Sequence, residues 1–178
     1  IRMLRYPVMF APAWNDALLC RARSKTATHF LTETDYDVHV SIDSDIVFDP
    51  ASVMQIAQQA HDLGGIVAGL YVTRAGGALC RPTSIFETDV PIEFGTDPTP
   101  VPIKWAATGF MATSRKVFET LAKDLPLCHE STDWKFFPFF QPFWVLPERE
   151  GGDVVYLSED FAFSERARRA GFQSYVNP

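Results

Sequence analysis

Cysteine is scarce in this chain, and Cys20, Cys80 and Cys128 make an odd count with no CxxC pair. A disulfide scaffold or a structural zinc site is therefore not expected; reduced thiols in a cytoplasmic setting are. Basic runs are missing too. No run of Lys or Arg exceeds two and the formal net charge is −6, which argues against a protein that holds nucleic acid by its phosphates. A membrane span needs about 20 predominantly apolar residues. The best candidates are Ile66–Val72, which is too short, and Phe136–Leu146, which Pro138 and Pro142 interrupt. GxGxxG, GxxxxGK[ST] and GxSxG are all absent, so the dinucleotide, P-loop and nucleophile-elbow readings fail. His29, His39, His61 and His129 are scattered without metal-ligand spacing, and the adjacency of Cys128 and His129 does not by itself make a thiolate–imidazole pair.

What is present fits a globular α/β chain. At 178 residues, 47% of them hydrophobic, there is enough chain for one domain with its own core. Helical spacing over residues 16–31, with Asn15 or Asp16 as cap, predicts a first helix. Val38, Val40 and Ile42 alternate with His39 and Ser41 and predict a strand. Asp49 followed by Pro50 opens a second helix, Val53, Ile56, Ala57, Ala60 and Leu63 give its apolar face, and Gly64-Gly65 ends it. Ile66–Val72 then reads as a buried strand, so strand, helix and strand form a βαβ unit and a sheet that is parallel at its centre is expected.

Later signals are sparser. Prolines and glycines punctuate residues 74–102, with short edge strands expected near Ser84–Glu87 and Pro91–Phe94. Ile103–Thr113 reads as extended, Ser114 as the cap of a helix through Leu121, and residues 126–153 as a long aromatic and proline-rich stretch. Val154–Leu157, Ser158–Ala170 and Phe172–Val176 read as strand, helix and strand.

Two acidic clusters carry the chemistry. Asp43-Ser44-Asp45 lies just past the carboxyl end of a strand, where open α/β sheets bind ligands. Two hard oxygen donors there suit Mg²⁺ or Mn²⁺, which could neutralise a diphosphate and activate it as a leaving group. The competing reading makes them turn and cap residues, but Asp49 already fills the capping role. Glu159-Asp160 stands at a second strand-to-helix junction. Acidic residues there complement the helix dipole; a carboxylate in that place is also a candidate general base. Arg21, Arg23 and Lys25 cannot all share one helical face, so one can meet a phosphate or base while another is solvated. Trp105, Thr108 and Gly109 stand at the end of an extended run, where a glycine lets substrate approach the backbone or allows a positive φ. Trp134, Phe136, Phe137, Phe139, Phe140, Phe143 and Trp144 make either a sugar-stacking wall or core packing.

In order, these pieces resemble the GT-A glycosyltransferases of bacteria and their phages, over residues 15–178. Ala17–Lys25 looks like the family's arginine-bearing helix and Val40–Phe48 like its strand with DxD motif. Gly69–Arg74 and Ala107–Thr113 look like the strand and glycine turn beside sugar and acceptor, and Ser158–Phe172 like its late acidic motif and helix.

The resemblance implies a GT-A, Rossmann-like fold, with a mixed, mainly parallel sheet flanked by helices in a single catalytic domain over residues 1–178. It implies a metal-dependent enzyme moving a sugar from a nucleoside-diphosphate sugar to a hydroxyl of a carbohydrate or other acceptor. Asp45 would bind Mn²⁺ or Mg²⁺, and Asp43 would support the metal or contact the ribose. Ser44, Arg23 and Arg21 would lie near the nucleotide. Asp160, with Glu159 beside it, would deprotonate the acceptor in an inverting reaction or stabilise an oxocarbenium ion in a retaining one. Trp105, Thr108, Gly109 and Arg74 would line the sugar and acceptor side. The family's opening strand and its late metal-binding His do not stand out here, and both are expected to lie outside residues 1–178. Two other functions fit the same fold: a non-catalytic carbohydrate- or nucleotide-binding domain, and a sugar nucleotidyltransferase, which would want a glycine-rich basic loop near its start.

Overall fold

The structure, a computed structural model, describes residues 8–12, 16–72, 83–86, 99–130, 134–147 and 151–178. Its centre is a five-stranded sheet formed by β1 (Val38–Ile42), β2 (Ile66–Gly69), β3 (Val101–Ile103), β4 (Phe110–Ser114) and β9 (Ser174–Asn177), in the order β1-β4-β2-β9-β3. The helices are α1 (Leu19–Glu33), α2 (Pro50–Leu63), α3 (Arg115–Asp124) and α4 (Glu159–Arg169). Two small hairpins, β5 (Cys128–His129) with β6 (Lys135–Phe136) and β7 (Phe143–Val145) with β8 (Val155–Leu157), stand outside the main sheet. No helix among the described residues is long and apolar enough to cross a membrane.

The expectation of a mainly parallel sheet is corrected. Three of the four strand pairings are antiparallel, and β2 with β9 is the parallel one. β1 and β2 do run in the same direction around α2, as the βαβ pattern requires, but they do not touch. β4 enters between them, pairing antiparallel with Val38–Ile42 on one side and Ile66–Ala68 on the other. The extended reading of Ile103–Thr113 resolves into two strands, β3 and β4, which lie in different parts of the sheet.

The pleat divides the core. Val38, Val40 and Ile42 of β1, Val67 of β2 and Phe110 and Ala112 of β4 pack with Ile56 and Ala60 of α2. On the opposite face Ala27 and Phe30 of α1, Val117, Phe118 and Leu121 of α3 and Phe163 and Ala167 of α4 cover Ala68 and Met111. Because side chains alternate along a strand, the residue after Ile42 is directed toward the three-helix face. That places Asp43 toward α1 and α4.

Local signals behave as the sequence implies at α2. The Asp49 carboxylate accepts the Ala51 N–H at 2.9 Å, Pro50 occupies the first turn, and Gly64 closes the helix at φ 63°. At α1 the helix starts later than expected, at Leu19, and Leu18 is its N-cap without a side-chain hydrogen bond. Asp16 instead accepts the Leu18 N–H and two donors of Arg21. The aromatic stretch splits in two. Phe139 and Phe140 are core residues, held to α1 where Ser24 Oγ accepts the Phe140 N–H and Thr28 Oγ1 the Phe137 N–H, while Trp134 and Trp144 are exposed.

Candidate functional site

The site is built where β1 and β2 leave the sheet. Asp43-Ser44-Asp45-Ile46 forms a tight turn in which the Asp43 carbonyl accepts the Ile46 N–H at 3.1 Å. Ser44 and Asp45 are exposed on it. Asp43 points back to α1, where Arg23 Nη2 donates to both its carboxylate oxygens at 2.8 and 3.0 Å. The other arm of the same guanidinium, Nη1, donates to Glu159 Oε1 at 2.8 Å. Arg23 is only 8% exposed. The two acidic motifs, more than 110 residues apart in sequence, thus meet through one buried arginine whose planar fork suits two carboxylates.

Arg21 does not join them. Its guanidinium lies on the outer side of α1 with Asp16 and Glu130, both at 2.8 Å. Lys25 shares these two acids. The spacing of two along the helix separates the arginines as expected, and Arg23 is the one that turns inward.

Asp160 stands in the first turn of α4. One of its oxygens accepts the Phe161 N–H at 2.8 Å and the Ser158 hydroxyl at 2.5 Å, so part of the carboxylate stabilises the helix start, as the dipole reading anticipates. Trp105 packs away from the turn. It stacks on Phe161 with ring centroids 5.8 Å apart and donates its indole N–H to Glu165 at 3.0 Å. Glu165 is buried; desolvation opposes its charge, but Arg168, Trp105 and Arg169 prevail and hold its carboxyl at about 2. Thr108 is 1% exposed, and its hydroxyl has no hydrogen-bond partner among the described residues. Arg74 lies outside the described residues.

Gly109 is central, and with it comes a residue the motif reading did not single out. The Gly109 carbonyl accepts the Asp43 N–H at 2.8 Å, and the Gly109 N–H donates to the Tyr71 hydroxyl at 2.8 Å. A Cβ at position 109 would stand 2.5 Å from that hydroxyl oxygen. Glycine is required by this close approach rather than by a positive φ. Burial raises the Tyr71 phenol above its ordinary value, and the negative charges of Asp43 and Asp160 push the same way against the Thr83 and Gly109 contacts. Tyr71 therefore lies within electrostatic reach of both acidic motifs. A lone tyrosine two residues past a strand carries no pattern; the nearest signal was its place beside Gly69.

Charge decides what such a site can hold. Two carboxylates, Asp43 and Glu159, share the one guanidinium of Arg23, which leaves this group of three side chains with a net negative charge. Among the described residues, no three His, Cys, Asp or Glu side chains are grouped to cage a metal. The side chains at the turn that could serve a hard cation of the Mg²⁺ kind, which keeps waters and takes one or two carboxylates plus substrate phosphates, are Asp45 and Asp43, the latter with both oxygens accepting from Arg23. A separate cleft of about 340 Å³ lies along the outer side of α1, lined among others by Lys25, His29, Trp134 and Lys135. None of the nominated site residues lines it.

No protein-family model matches the chain, and no curated protein matches it in sequence. Among solved structures, "Crystal Structure of A197 from STIV" is similar with a TM-score of 0.48 and 15% identity, over 90% of this chain and 64% of that one. The chain thus spans less than two thirds of that neighbour's length.

Proposed function

We propose that this chain is a metal-dependent glycosyltransferase that moves a sugar from a nucleoside-diphosphate sugar to an acceptor hydroxyl. The observation that carries the reading is the Arg23 fork, which brings Asp43 and Glu159 to one sheet edge. Its buried charge fixes the Asp43 carboxylate and the start of α4, and so sets the distance between the DxD turn and Asp160. Asp45, exposed on the turn, would hold Mn²⁺ or Mg²⁺ together with the diphosphate oxygens, with Asp43 supporting it. Bound there, the ion would neutralise the diphosphate and stabilise the departing charge.

The acceptor would enter over Asp160. One of its carboxylate oxygens is occupied by Ser158 and Phe161, and the other would take the proton as the acceptor oxygen bonds to the anomeric carbon. The bond from that carbon to the phosphate oxygen breaks in the same step, and the nucleoside diphosphate leaves. This is the inverting course. In a retaining one, Asp160 would instead stabilise the developing oxocarbenium charge.

A second reading draws on the same fork. Because Arg23 already pairs with Asp43 and Glu159, the site also suits a non-catalytic domain that binds carbohydrate without a metal. A thermal-shift screen of UDP, GDP, CDP and dTDP, each with and without Mn²⁺, separates the two. A ligand at 100 times its Kd stabilises by about 2.7 kcal/mol. The transferase reading expects a shift with at least one diphosphate that needs Mn²⁺ and disappears in Asp45→Ala. A chain that answers to none of the four retires it.

A further inference from the structure

The β7–β8 hairpin leads into the site. β8 ends at Leu157, Ser158 holds the N-cap position of α4, and Glu159 and Asp160 open that helix. On the inner side the hairpin is well anchored. Leu157 is fully buried, and the Phe143 ring lies under the Arg166 and Arg169 guanidinium groups at 4.6 and 5.2 Å. On the outer side no described residue covers it. Trp144 and Tyr156 occupy directly opposed positions in the register and are 68% and 69% exposed. Leu146 and Val154, immediately beyond the paired residues, are also exposed.

Opposed residues on one face of a hairpin have Cβ atoms about 4.5–5.5 Å apart. An aromatic pair there stabilises the hairpin modestly, but it also leaves two large rings in water, where contiguous apolar surface generally marks an interaction site. We infer that the exposed Trp144–Tyr156 face of this hairpin is the binding platform for an oligosaccharide acceptor.

Three observations favour a sugar. Aromatic rings present a negative π face, which attracts the weakly positive C–H bonds on the apolar face of a pyranose, while the indole N–H and phenol O–H remain available to its hydroxyls. The hairpin's connecting segment carries Glu148, Glu150 and Asp153 against the single Arg149, and that acidity disfavours an anionic bilayer or a nucleic acid. Finally, Tyr156 is four residues before Asp160, so their α-carbons are no more than about 14 Å apart at full extension. A chain of sugars on the platform reaches Asp160 with its end.

This inference rests on the transferase reading for its role in catalysis, but the binding itself can be tested separately. Wild-type protein would be screened on an array of immobilised oligosaccharides, and hits re-measured in solution by calorimetry without nucleotide. Trp144→Ala and Tyr156→Ala should each weaken the bound oligosaccharide at least tenfold, and Trp144→Tyr should recover most of the loss. Trp134→Ala, in the cleft beside α1, should leave affinity unchanged. Circular dichroism of each variant reports folding, and the Trp144→Tyr recovery stands even if one alanine variant misfolds.

The inference is overturned if wild type binds no oligosaccharide, if binding is insensitive to residues 144 and 156, or if Trp134→Ala abolishes it. It is equally overturned if the face instead drives self-association in sedimentation, or attachment to phosphatidylcholine vesicles, with no sugar bound. Oligosaccharide binding without any nucleotide shift keeps the platform and retires the transferase. A Mn²⁺-dependent nucleotide shift without oligosaccharide binding does the reverse.

Discussion

Arg23 and Arg115 sit at opposite ends of the same sheet and hold the same helix, with different partners. At the end where β1 begins, Arg115 donates to the carbonyls of Phe30, Leu31, Thr34 and Tyr36 and lies over the Phe30 ring at 4.6 Å. Its acceptors are neutral, belong to the final turn of α1 and the segment after it, and are fixed by the backbone. Arg23, where β1 ends, pairs with two side-chain carboxylates that remain 37% and 22% exposed. A cation whose partners are backbone carbonyls fastens the fold. One whose partners are partly solvated carboxylates holds charges that a ligand can also address. The charge of their acceptors, and whether these belong to the backbone or to side chains, separates the two arginines.

The largest effect should come from the fastening end. Arg115→Ala leaves four backbone carbonyls without their charged donor and should lower unfolding stability by about 4 kcal/mol in urea titrations. Any Mn²⁺-dependent nucleotide binding by the folded fraction should survive. If nucleotide binding fails while folding holds, the contrast between the two ends is wrong.

Between the two ends, His39 lies on β1 against the edges of Phe30 and Phe118, and burial pushes its imidazole down to about 4. The unfolded chain takes up this proton near pH 6.5 and the folded chain does not until about pH 4. Stability should therefore fall as the solution is acidified through that window, by about 3 kcal/mol in all, and level off below it. His39→Leu should flatten this part of the pH profile, measured by denaturation at fixed pH steps.

A smaller loss is expected at the turn. Gly109→Ala forces a methyl group against the Tyr71 hydroxyl and should cost about 1–3 kcal/mol. Tyr71→Ala in the same chain should recover part of that cost, and a double-mutant cycle measures the coupling. Arg23→Gln should change stability least, by about 1 kcal/mol, because water reaches both carboxylates. It should nonetheless abolish the nucleotide shift. A stability loss as large as that of Arg115→Ala would make Arg23 a fastening residue as well.

The sequence was most legible where structure is local. The Asp49 cap, Pro50 and Gly64 of α2 need only their own neighbours. Sheet order was not legible, because β4 finds β1 and β2 by pairing across 40 residues or more, and no period in the chain records it. The candidate site divides in the same way. Asp43, Asp45, Glu159 and Asp160 stood out as clusters, whereas the choice of Arg23 over Arg21 depends on which face of α1 is buried. That face holds Arg23, Ser24, Ala27, Thr28 and Phe30; with three polar members, it gives a weak apolar stripe. Tyr71 lies in the Gly69–Arg74 segment, but its bond to the Gly109 peptide group depends on a backbone partner, which leaves no mark in a sequence.

The placement of β4 also bears on the order of assembly. During synthesis Val38–Ile42 and Ile66–Gly69 emerge early with α2 between them, yet neither has its neighbour until Phe110–Ser114 follows. Closing such long intervals costs chain entropy before any ladder bond rewards it, which slows folding. Until then both strands present unpaired edges, the kind of surface that invites wrong pairings. The DxD turn at the end of β1 consequently acquires its final shape late, when the Gly109 carbonyl arrives to accept the Asp43 N–H.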